Sequence, residues 1–388
     1  MKILHTGDWH LGHTLYNYER TEEQAAMIRQ MVDIVKEHCP DVFLVCGDVF
    51  HTSQPASAVQ TMFSEALLQI GDAHPDMTIV VTAGNHDSAT KHETHRAPWK
   101  RLKVHTIGTL NKTDFDEHII PIPGKGYIIA IPYANERNIP EGFFQAILDE
   151  VAERNTEHLP VVMTAHTTVQ GCDFTGHERS NEYTVGGIDS LSIEQMGEGY
   201  DYLALGHIHH EQFVHTGRHN VRYSGTPIAV SFDENYPHSV SLVEVERHGS
   251  TPKVEKIEIT NPHPLVTLPT QGMASLDDAL QLLRDFPDDY PAYIRLNVEV
   301  DDFLPVGAND EAQRIAEAKA CRFCLINAKR KAVERAETKA MTVQEFQREA
   351  PIDIARRYAN DTGKAFDDDM KQLFNEVLQL IENDLRND

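Results

Sequence analysis

Positive charge is scarce in this chain: 35 lysines and arginines face 60 aspartates and glutamates, a formal net charge of −25 over 388 residues. Affinity for nucleic acid comes largely from basic side chains that neutralise phosphates. Composition therefore speaks against a protein that grips DNA unaided, unless bound cations or a basic partner supply the missing charge. Cysteine is scarce as well. Cys39, Cys46, Cys172, Cys321 and Cys324 are odd in number and scattered, which argues against a disulfide framework. Cys321 and Cys324 make a lone CxxC in a stretch that reads as a strand, so packing is expected there rather than a zinc site. No apolar run approaches membrane-spanning length and no basic-then-apolar leader opens the sequence, so the expectation is a cytoplasmic protein with no membrane partner.

What the sequence does contain is one phrase repeated. The apolar run Val42-Phe43-Leu44-Val45-Cys46 reads as a buried parallel strand and ends in Gly47-Asp48. Lys2–Thr6 leads likewise into Gly7-Asp8-Trp9-His10, and Thr78–Thr82 into Gly84-Asn85-His86-Asp87. Val161–Ala165 ends in His166, and Tyr202–Leu205 in Gly206-His207-Ile208-His209. Ligands and catalytic groups collect at the carboxyl ends of strands in open α/β sheets, and here five such ends each present a residue able to bind a metal.

Between these strands the spacing of Ala26, Ile28, Met31, Val32 and Val35 predicts one helix, and that of Met62, Phe63, Ala66, Leu67 and Ile70 a second. The alternation implies a layered α/β domain over residues 1–262, with the short alternating segments from Gln212 to Ile259 as a second sheet against the first. Asn261-Pro262-His263-Pro264 can continue no regular element and marks a boundary. Residues 263–340 then read as a small α/β unit ending in a basic stretch, Lys329, Arg330, Lys331, Arg335 and Lys339. Residues 341–388 read as a helical segment. Its Thr342-x-x-Glu345 has capping-box spacing, Pro351 suits a first turn, and Met370, Leu373, Phe374, Val377, Leu378, Ile381 and Leu385 form one apolar stripe.

Asp8, His10, Asp48, Asn85, His166, His207 and His209 are seven donors, the number for two four-ligand sites that share one bridge. A carboxylate suits the bridge because its two oxygens can bind two ions, and Asp48 is the best placed. Mixed carboxylate, imidazole and amide donors fit manganese or iron better than an all-oxygen magnesium site. Two such ions can activate a water and clamp an in-line displacement at phosphorus. Phosphate esters are the matching substrate, and His86, beside a ligand yet not needed as one, is the candidate general acid. His5, His13, His92 and His95 are expected to be surface or packing residues.

Taken together, Asp8-x-His10, Gly47-Asp48, Gly84-Asn85-His86-Asp87, His166 and Gly206-His207-x-His209 resemble the calcineurin-like metallophosphoesterase superfamily, whose fold is a two-sheet α/β sandwich flanked by helices. Three finer strings point further: His5–Gly12, Gly47–His51, and Tyr223-Ser224-Gly225-Thr226-Pro227 with Ser231-Phe232-Asp233-Glu234. With Val185-Gly186-Gly187 they resemble the SbcD-type nuclease subunits of bacterial double-strand-break-repair complexes. The resemblance implies manganese held by Asp8, His10, Asp48 and His209 at one position and by Asp48, Asn85, His166 and His207 at the other. It also implies His86 as the acid and His51 as an auxiliary histidine. Further implications are DNA as substrate, a homodimer, a DNA-contacting capping domain over 263–340, and an SbcC-type coiled-coil ATPase docked on 341–388. The competing readings are a phosphatase or phosphodiesterase for small substrates and a non-catalytic DNA-end scaffold. Gly7 stands where such chains are expected to carry serine.

Overall fold

The computed structural model describes residues 1–94, 96–175, 190–215 and 217–331, with isolated positions between 352 and 374. β1 (Lys2–Thr6) is followed by a hairpin of β2 (Thr14–Leu15) and β3 (Tyr18–Glu19), then by α1 (Thr21–His38), β4 (Val42–Cys46), α2 (Ser57–Ala73) and β5 (Thr78–Thr82). Two short helices, α3 (Ala89–Thr94) and α4 (Arg96–Lys100), lead to β6 (Val104–Ile107). Next come β7 (Ile119–Ile122), β8 (Gly126–Ala130), α5 (Phe143–Arg154), β9 (Val161–His166) and β10 (Tyr202–Gly206). β11 (Gln212–Phe213), β12 (Val221–Tyr223), β13 (Ser239–Glu244) and β14 (Lys253–Glu258) complete this part.

Two six-stranded sheets result, ordered β14-β13-β1-β4-β5-β6 and β11-β12-β10-β9-β8-β7. β4 is buried along its whole length, as its unbroken apolar run requires, because it lies parallel between β1 and β5 and is covered on both faces. One face meets α1 and α2 through Phe43, Val45, Met27, Met31, Phe63 and Leu67. The other meets the second sheet through Val42, Leu44, Ile128, Val162 and Tyr202. The second sheet's outer face is covered by Phe144, Ile147 and Val151 of α5.

Where the strands go corrects one expectation. Residues 212–259 do not build the second sheet. β11 and β12 extend a sheet begun by β7 to β10, while β13 returns antiparallel beside β1 and brings β14 with it. Alternating apolar residues fix a strand's period and its buried face, but its hydrogen-bond partner is set by contacts distant in sequence.

The small unit has a parallel sheet of its own: β15 (Leu265–Leu268), β16 (Tyr293–Val300) and β17 (Arg322–Arg330), crossed by α6 (Leu276–Asp285) and α7 (Ala308–Ala316). Ser275 caps α6 by accepting the Asp278 amide at 3.2 Å. Leu280, Leu283, Ile294, Leu296 and Ala312 form its core. A second cluster, Leu15, Phe232 and Tyr293 with Tyr18 and Leu325, joins this sheet to the rest, and Met1–Arg330 form one compact unit. Cys321 and Cys324 are both free and belong to different clusters, the first buried with α6 and α7, the second at the junction.

Lys331–Asp388 form a second compact unit. The proposed capping box at Thr342–Glu345 and Pro351 lie outside the described residues, as do Arg335, Lys339 and, within the apolar stripe, Leu373, Val377, Leu378, Ile381 and Leu385. Met370 and Phe374 are described and helical. Among the described residues, no helix is long and apolar enough to cross a membrane.

Candidate metal centre

The five strand ends belong to both sheets, and the sandwich brings them to one place. Asp8 and His10 follow β1, Asp48 follows β4, and Asn85 and His86 follow β5, all in the first sheet. His166 ends β9, and His207 and His209 follow β10, in the second. The loops after β1 and β4 are laced by main-chain bonds: Asp8 N to Gly47 O (3.0 Å), His10 N to Asp48 O (3.0 Å) and Leu11 N to Val49 O (2.9 Å). Asp8, His10 and Asp48 take left-handed backbone, with φ of 52°, 44° and 47°. That conformation is costly for residues other than glycine and is held only where the surroundings over-determine it.

Asp87 does much of that holding. Its buried carboxylate accepts the amides of Val49 (3.1 Å), Phe50 (2.9 Å) and Gly84 (2.8 Å), tying the β4 and β5 loops together. His92 Nε2 lies 3.6 Å from it, so this histidine belongs to the scaffold, as expected. Glycine is required at two positions of the same loops. A Cβ on Gly84 would overlap Asp48, and one on Gly47, at φ 80°, would enter the His166 ring. Gly7 is less constrained: a Cβ there would stand 3.1 Å from the Cys46 carbonyl oxygen, the acceptor for His166.

The imidazoles are aimed by their second nitrogens. His166 donates Nδ1–H to Cys46 O (2.8 Å) and His209 donates Nδ1–H to Glu234 Oε1 (3.0 Å), so in each ring Nε2 is the nitrogen turned to the centre. His166 Nε2 lies 3.0 Å from Asn85 Oδ1 and 3.4 Å from Asp48 Oδ2. His207 Nδ1 reaches the same amide oxygen at 3.1 Å, while its main-chain N–H donates to Asp8. His10 Nε2 and His209 Nε2 face each other at 3.2 Å. Since His209 donates its Nδ1–H to Glu234, neutral rings meet here with His10 donating Nε2–H to His209 Nε2, whereas two bare nitrogens would need a metal ion between them.

Among the described residues, three groups of converging ligand atoms emerge: Asp8, His10 and His209; Asp8, Asp48 and His166; and His10, His51 and His86. The charges respond to this crowding. Burial raises the Asp8 carboxyl to about 6 against the pull of His166 and His209. Burial would also raise Asp48, but His166 and His10 hold it well below the ordinary carboxylate range. Burial lowers His166 and His209, yet the carboxylates beside them prevail: Asp48 lifts His166 to about 10, and Glu234 lifts His209 to about 9. The donor set behaves as one built around positive charge, with protons in the place of cations.

His86 stands at the rim. Its Nδ1 lies 2.9 Å from His51 O and its main-chain N–H donates to Asp48 Oδ1 (2.9 Å), which leaves Nε2 as the nitrogen able to exchange a proton at the centre. The His51 ring stacks on that of His86 with centroids 5.7 Å apart. His5 is a packing residue as expected, buried between Tyr202 and the Leu205 carbonyl. His13 is more than that, since its ring meets His51 edge-on at 4.6 Å. His95 lies outside the described residues.

All nine residues singled out in the sequence meet here, and Glu234 and Asp87 join them. Neither of the two carried an assigned role, although both stand inside the motifs that carry the resemblance. A carboxylate two residues past a ligand, or one at a distant loop end, gives no spacing signal for the ring nitrogen or amides it will meet.

Residues 1–211 match the calcineurin-like phosphoesterase family. The SbcD nuclease of the Rhodobacter capsulatus SbcCD complex is 33% identical over 73% of this chain and 75% of its own length. The SbcD nucleases of Escherichia coli strain K12 and Bacillus subtilis strain 168 are 27% and 29% identical, covering 86% and 99% of this chain. With a family match over more than half of its length, and relatives of this identity over most of the rest, the chain belongs to the calcineurin-like phosphoesterases. Within them it is an SbcD-type nuclease, a metal-dependent phosphodiester hydrolase.

Proposed function

We propose that this chain is a manganese-dependent DNA nuclease, acting as a double-strand exonuclease and a single-strand or hairpin endonuclease. It works in the cytoplasm as a homodimer with a coiled-coil ATPase of the SbcC type, in DNA end processing, recombination and repair. The observation that carries the reading is the convergence of carboxylate, imidazole and amide donors from five strand ends of two sheets.

Asp8, His10, Asp48 and His209 would hold one ion, and Asp48, Asn85, His166 and His207 the other. Asp48 Oδ2 supports the bridging role, at 3.9 Å from His10 Nε2 and 3.4 Å from His166 Nε2. When bound, two divalent ions supply an activated water and a clamp on the phosphate oxygens. His86 Nε2 delivers a proton to the departing oxygen. The His51 carbonyl orients that ring through Nδ1, which gives His51 a positioning part.

A net charge of −25 leaves little means of holding DNA by attraction, so the ATPase supplies most of the basic surface. The capping domain, 263–340, contributes Lys329, Arg330 and Lys331, and 341–388 is the dock for the ATPase.

The test is an assay of the purified protein on linear duplex DNA with Mn2+, with and without the ATPase. Removal of 341–388 is expected to leave Mn2+-dependent hydrolysis of a simple phosphodiester intact and to abolish ATP-stimulated cleavage of duplex. Undiminished ATPase binding by the truncated chain places the dock elsewhere. No cleavage of either substrate by the full chain overturns the reading.

A further inference from the structure

The small sheet reaches the metal centre through two residues of β16, Tyr293 and Arg295, both set against Phe232. Tyr293 Oη accepts from Arg322 Nη1 (2.7 Å) and donates to Glu23 Oε1 (2.6 Å). Arg20 Nε lies 3.7 Å from the same Glu23 oxygen, and Arg20 Nη1 donates to the Ala229 carbonyl and stands 3.4 Å from His13 Nδ1. From His13 the path continues through the His51 ring to His86.

As a stabilising device this chain of contacts is poor. Arg20 and Glu23 are 2% and 0% exposed, and among the described residues Arg20 Nε, Arg20 Nη2 and Glu23 Oε2 have no hydrogen-bond partner. Burying such a pair costs more in lost hydration than an incomplete network returns. A guanidinium offers only N–H donors, so His13 accepts from Arg20 through Nδ1 and sets its edge against His51.

Arg295 serves the other side. Its Nη1 donates to Asp233 Oδ1 (2.9 Å), its Nη2 to Phe232 O (3.1 Å) and its Nε to Thr267 Oγ1 (3.1 Å). This pins the turn whose next residue, Glu234, takes the Nδ1–H of His209.

We propose that Tyr293 and Arg295 are positioning residues of the metal centre: Tyr293 sets the His86 side through Glu23, Arg20, His13 and His51, and Arg295 sets the His209 side through Asp233 and Glu234. The inference rests on the nuclease reading above and adds to it two residues of the small sheet that touch neither ion nor substrate.

The two struts differ in what they disturb. Misplacing a proton donor slows the loss of an alkoxide, as in DNA cleavage, but not that of p-nitrophenolate, which departs without a proton. Loosening the carboxylate behind a metal-binding histidine weakens metal affinity.

The experiment uses the full chain, a Mn2+ titration and two substrates, linear duplex DNA and bis(p-nitrophenyl) phosphate. Tyr293→Phe and Arg20→Met are expected to lower kcat on DNA about tenfold with KM unchanged, and to leave the nitrophenyl ester unaffected. Arg295→Met is expected to raise the Mn2+ concentration for half-maximal rate about tenfold on both substrates, with full recovery at saturation. A parallel loss on both substrates at saturating Mn2+ in Tyr293→Phe, or an unmoved Mn2+ requirement in Arg295→Met, overturns the proposal. Should Arg20→Met fail to fold, Tyr293→Phe, which removes one oxygen, still decides. A wild-type chain inactive on both substrates defeats the nuclease reading itself, a result distinct from either loss.

Discussion

The two sheets hold their halves of the centre by different means. The first delivers its carboxylates on backbone bent to positive φ, just past the ends of β1 and β4, with main-chain bonds and Asp87 keeping the bends in place. The second delivers mostly imidazoles. His166 is itself the last residue of β9, and the rings are aimed by partners: the Cys46 carbonyl for His166 and Glu234 for His209. Each left-handed residue on the first side costs on the order of 1–3 kcal/mol, which surrounding structure must offset. That half is therefore preformed and intolerant of change. The other half is adjustable at His209, whose aim depends on the Glu234 side chain, whereas His166 is aimed by a main-chain carbonyl and His207 itself sits at φ 99°.

The sharpest break in this comparison falls on the carboxylate side. Asp48→Ala removes the carboxylate whose Oδ2 faces both His10 and His166, and also the acceptor for the His86 amide. Activity on duplex DNA with Mn2+ is expected to fall by more than about 1000-fold, since both metal positions lose their link. Substantial Mn2+-dependent cleavage in this variant would falsify the bridging role.

A step smaller is His86→Ala. The ring is anchored by His51 rather than by the ligand set, so metal content is expected to stay at the wild-type level while turnover on DNA falls by about 100-fold or more. Metal analysis of the dialysed variant decides: a lower metal content makes His86 a ligand.

The carboxylate half was also the more legible half in the sequence. Gly47-Asp48 after an apolar run of five residues announces both a buried strand and a donor at its end, because the run's length and the glycine report local requirements. The strands themselves, β1, β4, β5, β9 and β10, lie where the apolar runs predict, as do α1 and α2. What the sequence withheld is non-local. The segment 212–259 shows its alternation but not that β13 pairs with β1 while β12 pairs with β10. Glu234 shows a carboxylate but not the ring nitrogen it meets 25 residues from His209 in sequence. His13 carries no strand-end signal, and only folding sets it against His51.

On the imidazole side the expected effects are smaller and recoverable. Glu234→Gln keeps an acceptor for His209 Nδ1 but removes the charge that makes the ring a better ligand. Metal affinity is expected to weaken by about tenfold to 100-fold, with activity restored at high Mn2+. An unchanged Mn2+ dependence would show that Glu234 only packs the turn.

The smallest effect is one of linkage, and it again separates the halves. Without metal, His166 and His209 bind protons more tightly folded than unfolded, at about 10 and about 9, and so does Asp8, at about 6. Groups raised in this way contribute stability that is fully present below their unfolded values and is lost as pH rises through the folded ones. Asp48 runs the other way: its contribution is present above the ordinary carboxylate range and is lost only in strong acid. From pH 6.5 to 9 the imidazoles therefore decide, and the metal-free protein should lose stability as their protons leave. Metal replaces those protons, so its binding releases them and tightens as pH rises. The difference in Tm between Mn2+-loaded and EDTA-treated protein is expected to widen by a few degrees across that range. The Glu234→Gln variant should show a narrower widening, since its His209 binds the proton less tightly. A gap that stays constant from pH 6.5 to 9 in the wild type would mean that the imidazoles are neutral in the metal-free protein, with His10 donating Nε2–H to His209.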